Sequence, residues 1–481
     1  PIEHAHRISP EPGTHARTHA RSGRMKLLPR LCMATAKAAA AGDSDGSSNK
    51  LGSSTASSSS SSSSTVSTSS SAAAAAVSEA SSSTSLPSLP SLSAATSNAA
   101  SFTHLATLLP PPTSATTPSP AAAVAPATDS SHNGFVLARP TSVSLHDILT
   151  LEATSTSDSA DDTATAGAVK CVAHVHGGKA VTGHQDGMLR LWRVSSRSPT
   201  RIRLAAALPT VSDRLRRFPL PSNHVAVRRH HRRLWIQHAD AVSGVAASAD
   251  GRLLFSVSWD KTLKVWAVPS LRCLQSLPAH DDAVNAVAVA PDGTAYTGSA
   301  DRRVRVWAPR PASDKTKRQS KKPVYYLVAT LSRHTAAVNA VAVGCGGQML
   351  YSAGNDRCVV VWEREDSASH MVAIGALRGH RKAVLSVACA GNDGMVVVSG
   401  SADQTVRAWR REKDGRGHTC VAVIDGHCSA VRSVAVALVP GQKRRQLGGN
   451  GDGDSDEEWR VCSASFDGEA RVWSLRVTTA L

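Results

Sequence analysis

Histidine, serine or threonine, aspartate and tryptophan recur at set distances along this 481-residue chain. Asp260 has Ser256 four residues before it, Trp266 six residues after it and His238 twenty-two residues upstream. The order returns as His280, Thr297, Asp301 and Trp307, and again as His334, Ser352, Asp356 and Trp362. Two more sets follow, His380, Ser399, Asp403 and Trp409, then His427, Ser463, Asp467 and Trp473. An earlier unit of Thr182, Asp186 and Trp192 keeps the spacing but lacks the His, so its set is read as incomplete. Ser, His and Asp are the residues of a hydrolase triad. A triad is built once, whereas these sets recur at fixed spacing, so they read as structural; no catalytic residue is assigned and no enzyme is expected.

The other reactive residue types point the same way. Of twenty His, five belong to the recurring sets, and His230 and His231 lie in a basic stretch without a carboxylate, so no metal ligand is assigned. Asp452, Asp454 and Asp456 alternate with Gly and Ser but lack the spacing and flanking helices of a calcium loop. Gly448–Gly451 is followed by no Lys-Ser/Thr and opens no helix, so it is no phosphate cradle and no cofactor is expected. Nine Cys, with no Cys-x-x-Cys pair, read as reduced and mostly buried thiols. No apolar run approaches the ~18 residues of a membrane span, so no membrane partner is expected.

The net charge of +17 is localised. Twelve Arg and one Asp lie between Arg190 and Trp235, and five Lys/Arg against one Asp lie between Asp314 and Lys322. The first stretch, taken as an insert over 195–233, could attract nucleic acid, anionic lipid or an acidic partner protein, or act only as a solvated loop. Lys317-Arg-Gln-Ser-Lys-Lys322 has the composition of a nuclear import signal, with Ser320 as a modifiable residue inside it.

The elements that must position the recurring residues are short strands. Ala283-Val-Asn-Ala-Val-Ala-Val, a Pro-Asp-Gly turn, Ala295-Tyr-Thr-Gly-Ser and Val304-Arg-Val-Trp307 are β-branched runs punctuated by turn residues. With one more run before the next His they make a four-stranded antiparallel sheet, repeated at a period near 41 residues, the distance from Trp266 to Trp307. This pattern resembles the WD40 repeat over roughly Gly167 to Leu475. The resemblance implies an all-β propeller of radially stacked blades, most simply seven, over 102–481.

It also implies that each His, Ser/Thr, Asp and Trp set forms a hydrogen-bonded chain inside its blade. The chemistry suits this, because an indole only donates, a hydroxyl does both and a carboxylate only accepts. The residue after each Trp departs from the family's usual Asp, being Arg193, Ala267, Ala308, Glu363, Arg410 and Ser474. Residues 119–153 read as a degenerate first blade without its Asp or Trp. Phe102–Leu109 reads as the strand that completes the last blade, and the Ser/Ala-rich stretch before it, residues 1–101, as disordered. The residues before Met25 could be leader rather than native chain, to be settled by an intact mass.

In this family the narrow face is built by residues before each Asp and after each His. Here these include Trp259, Phe466 and Asn355, with Asp281 and Arg381. Exposed aromatics beside an Arg suit protein recognition. Several segments, among them Ala206-Ala-Leu-Pro-Thr-Val-Ser-Asp-Arg-Leu215 and Gly375-Ala-Leu-Arg-Gly-His380, are similar to plant WD40 proteins of the Jingubang type. That resemblance implies a non-catalytic adaptor in cytoplasm or nucleus that holds other proteins, such as a transcription factor in pollen germination. The alternatives are a substrate receptor of a cullin-type ubiquitin ligase and nucleic-acid binding through the basic insert. No small-molecule substrate is expected.

Overall fold

The computed structural model describes residues 89–94, 100–108, 123–128, 133–140, 142–157, 168–195, 198–228, 231–310, 324–390, 396–412, 417–440 and 457–477. All fall in the second of two compact units, Ser82–Leu481. Most of the expected disordered segment lies outside the described residues, as do the import-like run, Asp452, Asp454 and Asp456, and Gly448–Gly451.

The unit is a ring of seven four-stranded blades. Its inner strands are Ala123–Thr128, Val169–Val175, Val242–Ala247, Val284–Val289, Val338–Gly344, Val384–Ala390 and Val431–Leu438. Each packs beside the next, and the seventh packs beside the first, so the ring closes. We number the blades 1 to 7 in that order. In blades 2 to 7 the inner strand opens on Ala-Val-x-x-Val, and the valines at the second place, Val242, Val284, Val338, Val384 and Val431 among them, are wholly buried. The repeat tryptophans lie on the third strands and fill the gaps between blades: Trp266 packs with Val181 and Leu189 of blade 2, and Trp473 with Val396 and Val421 of blade 6. The core is therefore a series of layers between neighbouring sheets, which no blade could bury alone.

Blade 1 exists as four strands, ending with Ala153–Ser157, although it has neither the Asp nor the Trp of the repeat. Phe135 and Leu137 of its second strand are fully buried against blade 7. The last blade is completed by Ala100–Leu108, which runs antiparallel to Ala470–Val477 with His104 opposite Trp473. The two ends of the propeller are thus joined in one sheet.

Three parts depart from the sequence reading. First, blade 2 does not end at Val194. Arg201–Leu208 is its outer strand, and it also pairs in parallel with Ala153–Ser157 of blade 1. Its alternation of exposed Arg201 and Arg203 with buried Ile202 is that of a strand with one solvated face, although its charge places it in the basic insert of the sequence reading. Second, the described residues of the rest of the insert include a helix, Val211–Arg217, capped by Thr210, which the sequence reading lacked, and a hairpin of His224–Arg228 with His231–Leu234, in keeping with the strand character of the sequence from Val225. Third, residues 89–94, inside the stretch expected to be disordered, lie along the outer strands of blades 5 and 6. Ala376 N–H donates to Pro90 O and Leu92 N–H to Ala376 O, both at 3.0 Å, and His418 N–H donates to Leu92 O at 3.2 Å. Gly375 makes this possible, since a Cβ there would stand 2.4 Å from Leu92 Cγ.

Candidate functional site: the His–Asp face and the channel mouth

Each recurring set forms a chain across its blade. In blade 3, Trp266 Nε1–H donates to Ser256 Oγ at 2.9 Å, Ser256 Oγ lies 2.8 Å from His238 Nε2, and His238 Nδ1 lies 3.1 Å from Asp260. In blade 4 the same three distances, through Trp307, Thr297, His280 and Asp301, are 2.9, 2.8 and 2.8 Å. In blade 5, Trp362 Nε1–H donates to Ser352 Oγ at 2.8 Å, Ser352 Oγ lies 2.8 Å from His334 Nε2, and His334 Nδ1 lies 2.7 Å from Asp356. In blade 6 the distances through Trp409, Ser399, His380 and Asp403 are 2.9, 2.9 and 3.0 Å. In blade 7, through Trp473, Ser463, His427 and Asp467, they are 3.1, 2.8 and 3.1 Å.

A neutral imidazole satisfies every atom: the indole donates to the hydroxyl, the hydroxyl to Nε2, and Nδ1–H to the carboxylate. The sequence reading gave the hydroxyl two neighbours, and the structure adds a third. Fully buried Ser352 has its Oγ 3.5 Å from Val360 O on the facing strand, and Thr297 and Ser463 stand equally far from Arg305 O and Arg471 O. A hydroxyl has one proton, and the short bond to the imidazole takes it, so Ser352 meets Val360 O only as a long contact. Burial pushes the His238 and His427 imidazoles down towards the neutral form, with the Asp partner opposing. Burial would raise the Asp301 carboxyl, but the hydrogen bond from His280 and two backbone N–H donors hold it at about 2.

The Asp at the end of each chain fixes two loops side by side. Asp260 accepts from Ala239 N–H at 2.7 Å and Thr262 N–H at 3.0 Å, and Asp403 from Arg381 N–H at 2.9 Å and Thr405 N–H at 3.1 Å. The turn after the Asp needs a left-handed residue. Gly187 and Gly468 supply it in blades 2 and 7, but Lys261, Arg302, Arg357 and Gln404 adopt φ of 66° to 75° in blades 3 to 6. A non-glycine there costs about 1 kcal/mol, so long polar side chains are held on this face against backbone preference.

Blade 2 corrects the sequence reading. His184, on the same strand as Thr182, takes the place of the missing upstream His: its Nε2 lies 2.7 Å from Thr182 Oγ1, which accepts from Trp192 Nε1–H at 2.8 Å. Asp186 instead pairs with Arg190 at 2.9 Å. Blade 1 repeats the device with Ser144 Oγ 2.9 Å from His146 Nε2.

A second ring of residues lies at the mouth of the central channel. The third residue of each Ala-Val-x motif sits in a bulge of its inner strand, at Lys170, Ser243, Asn285, Asn339, Leu385 and Arg432. The bulge frees these side chains from the ladder. Ser243 donates to Val284 O of the next blade, Asn285 to Val338 O at 2.8 Å and Asn339 to Val384 O at 2.8 Å. Leu385 cannot donate, and the sequence of clasps stops there. Arg432 restores it by reaching past blade 1 to Lys170 O at 2.9 Å. Blade 1 itself is clipped to blade 7 by Ser433 Oγ, which lies 3.1 Å from Val124 N and 3.2 Å from Val124 O.

Five segments of the chain, 230–267, 271–308, 325–363, 371–410 and 418–474, match the family described as WD domain, G-beta repeat. The ring is a WD40 β-propeller. A stretch of 134 residues is 29% identical to the mitochondrial division protein 1 of Schizosaccharomyces pombe, covering 26% of this chain and 20% of that protein. Another of 74 residues is 34% identical to an uncharacterised WD repeat-containing protein of the same yeast, covering 15% and 14%. The chain therefore spans a fifth or less of the length of these relatives.

On this propeller the sequence-selected surface residues fall into two groups. Trp259, 39% exposed, lies under Lys170 Nζ at 5.4 Å, and Phe466, 51% exposed, lies under the Arg432 guanidinium at 5.6 Å. Asn355 joins the channel ring by accepting from Asn339 Nδ2 at 2.7 Å. Asp281 is apart from these, near Arg305 and Arg303 at 3.4 and 3.7 Å, while Arg381 is exposed in blade 6. The sequence reading had no place for Lys170 and Arg432, although superposing the Ala-Val-x motifs exposes both. It also missed an apolar patch on the insert helix, where Val211, Leu215 and Phe218 are each about two-thirds exposed. The Arg residues of the insert are partly engaged within the fold: Arg217 pairs with Asp213 at 3.2 Å and stacks on Trp235, and Arg233 donates to His238 O.

Two trios have metal-ligand composition among the described residues: His334, Asp356 and Cys358, and His427, Asp467 and Glu469. Hydrogen bonding accounts for the first: Cys358 Sγ stands 3.3 Å from Asp356, where Thr262 and Thr405 donate to Asp260 and Asp403 at 2.6 and 2.7 Å. In the second, Glu469 pairs with Arg471 at 2.7 Å.

Proposed function

We propose that this propeller is a non-catalytic adaptor that binds other proteins on its His–Asp face, the narrow face of the sequence reading. The observation that carries this is the pair of exposed aromatics, Trp259 and Phe466, each stacked with a cation beside the channel mouth. Exposed aromatics with Arg are the usual anchors of protein interfaces. Four left-handed turns that retain long polar side chains support the same face.

The Jingubang-type resemblance extends the proposal to a transcription factor as partner, a role in pollen germination and residence in cytoplasm or nucleus. The competing ligase-receptor reading is the weaker, because neither Trp307-Ala-Pro-Arg310 nor Trp473-Ser-Leu-Arg476 has the Trp-Asp-x-Arg of such receptors. Nucleic-acid binding through the insert is weakened by the internal bonding of Arg217 and Arg233. The test is affinity capture and mass spectrometry with the full chain beside Trp259→Ala/Phe466→Ala and Leu215→Ser/Phe218→Ser. A defined set of proteins lost only in the first variant supports the face. Loss only in the second moves the interface to the insert helix, and capture abolished by nuclease but by neither variant refutes the adaptor reading.

A further inference from the structure

Resting on the reading that the His–Asp face binds protein, we infer that the channel mouth recognises an acidic side chain of the partner. A Glu or Asp carboxylate would enter between Lys170 and Arg432, with Trp259 and Phe466 on either side.

The six bulged positions are structurally equivalent, so their differences are informative. Ser243, Asn285 and Asn339 are spent on clasps between blades, and Leu385 is apolar. Lys170 and Arg432 alone carry charge, and the bond from Arg432 to Lys170 O, 2.9 Å long, sets them next to each other. Two cations this close repel, and no carboxylate among the described residues forms an ion pair with either. Burial and the neighbouring Arg432 both push the Lys170 ammonium down, which is the direction an incoming anion would reverse.

The aromatic rings complete the recognition element. Trp259, Lys170, Arg432 and Phe466 form a row of aromatic, cation, cation and aromatic, with ring-to-cation distances of 5.4 and 5.6 Å at its ends. The outer rings hold the cations by their faces and remain free to pack against the methylenes of a Glu. Around this row Lys261, Arg302, Arg357 and Arg381 add exposed positive charge. Such a field steers an acidic segment towards the face and speeds its encounter. A nucleic-acid backbone is the poorer fit, because the rim is interrupted by exposed Asp281 and Asp282 and the cation pair is a single recessed point rather than a track.

The experiment is fluorescence anisotropy of the full chain with three labelled probes: a Glu-rich decapeptide, the same peptide with Gln at every Glu, and an oligothymidylate of equal length. The Glu peptide is expected to bind at least about tenfold more tightly than the Gln peptide, a preference that salt weakens. Lys170→Gln removes that preference without unfolding the propeller, since Lys170 Nζ donates to no group among the described residues; Arg432→Gln serves as a second variant. Equal binding of both peptides, no binding of the Glu peptide at millimolar protein, or indifference to Lys170→Gln overturns the inference. Tighter oligothymidylate binding that is lost in Lys170→Gln overturns it in favour of phosphate. If both peptides bind alike and Trp259→Ala/Phe466→Ala abolishes both, the acidic reading falls while the protein-binding face stands.

Discussion

Replacing Ser399 by Ala tests what the hydrogen-bonded chains contribute. Ser399 is fully buried, and its Oγ meets Trp409 Nε1–H and His380 Nε2, both at 2.9 Å. Removing it leaves an indole donor and an imidazole acceptor facing each other without a partner, in a site closed to solvent. Each buried unpaired group costs about 1–3 kcal/mol, so Ser399→Ala should lose about 2–6 kcal/mol. The control is Ser399→Thr. Thr297 makes the same two bonds in blade 4 at 2.9 and 2.8 Å, so Thr should stay within about 1 kcal/mol, the residual being the extra methyl. Urea unfolding of the full chain followed by tryptophan fluorescence gives the comparison, with a midpoint lowered by about 1 M expected for Ala. A loss below about 0.5 kcal/mol for Ala, or an equal loss for Thr, would show that the hydroxyl is not the joint that holds the blade.

Acid should unfold the propeller in two windows. His418 is fully buried, and burial with the nearby Arg411 lowers its pKa to about 4. Its contribution is complete above about pH 6.5, where the unfolded chain is also neutral, and is lost as pH falls towards 4, about 3 kcal/mol in all. Asp301, held at about 2 in the fold, contributes above about pH 4 and loses that contribution between 4 and 2. Stability measured against pH should therefore have a shallower upper slope in His418→Phe, with the remainder due to His238 and His427, and keep its lower one; an unchanged upper slope refutes the assignment. Gly375→Val should expel residues 89–94, because the new Cβ lies 2.4 Å from Leu92 Cγ, and amide exchange at Leu92, Ala376 and His418 should accelerate while the inner strands stay protected. Unchanged protection would mean that the segment is not held there. Among the described residues Cys428 is exposed, whereas burial pushes the Cys273, Cys358 and Cys462 thiols up to about 12. Iodoacetamide at pH 8 should label the first before the others, read by peptide mass spectrometry, and modification of Cys462 in folded protein would contradict the burial.

What the sequence reveals depends on whether a contact is set by local register. Ser256 and Trp266 lie on adjacent strands of one hairpin, where Leu254 pairs with Trp266 and Ser256 with Lys264, so their spacing cannot vary and is legible in six units. Ser352 and Trp362 repeat that register in blade 5, where Leu350 pairs with Trp362 and Ser352 with Val360. The His is fixed to the inner strand, four residues before its buried Val in blades 3 to 7, but the connection from that strand to the next is free in length. The His therefore stands eighteen residues before Ser256 but thirty-six before Ser463, and in blade 2 it is replaced by His184 from the same strand as Thr182. The chemistry of the joint is kept while its origin in the chain changes, and a reading by spacing reports that as a gap. The outer strand Arg201–Leu208 and the segment 89–94 were hidden for another reason: charge in one and Pro-Ser composition in the other mask strands held by backbone bonds to neighbouring blades.

The same logic locates function within the repeat. Positions whose polar atoms are consumed by the fold cannot vary without loss, and in five blades the Trp, hydroxyl, His and Asp are all so consumed. The bulged residue after Ala-Val is different, because its backbone is already outside the strand ladder and its side chain faces the channel. There the blades carry Lys, Ser, Asn, Asn, Leu and Arg, and the clasps skip Leu385 without opening the ring. A position that tolerates Leu does not need Lys or Arg for folding, and an apolar side chain would avoid the repulsion between two adjacent cations. The charge at Lys170, whose ammonium clasps nothing among the described residues, is therefore better explained by something that binds it, and Arg432 brings a charge that its clasp on Lys170 O does not require, since Asn285 and Asn339 make neutral clasps from the same position.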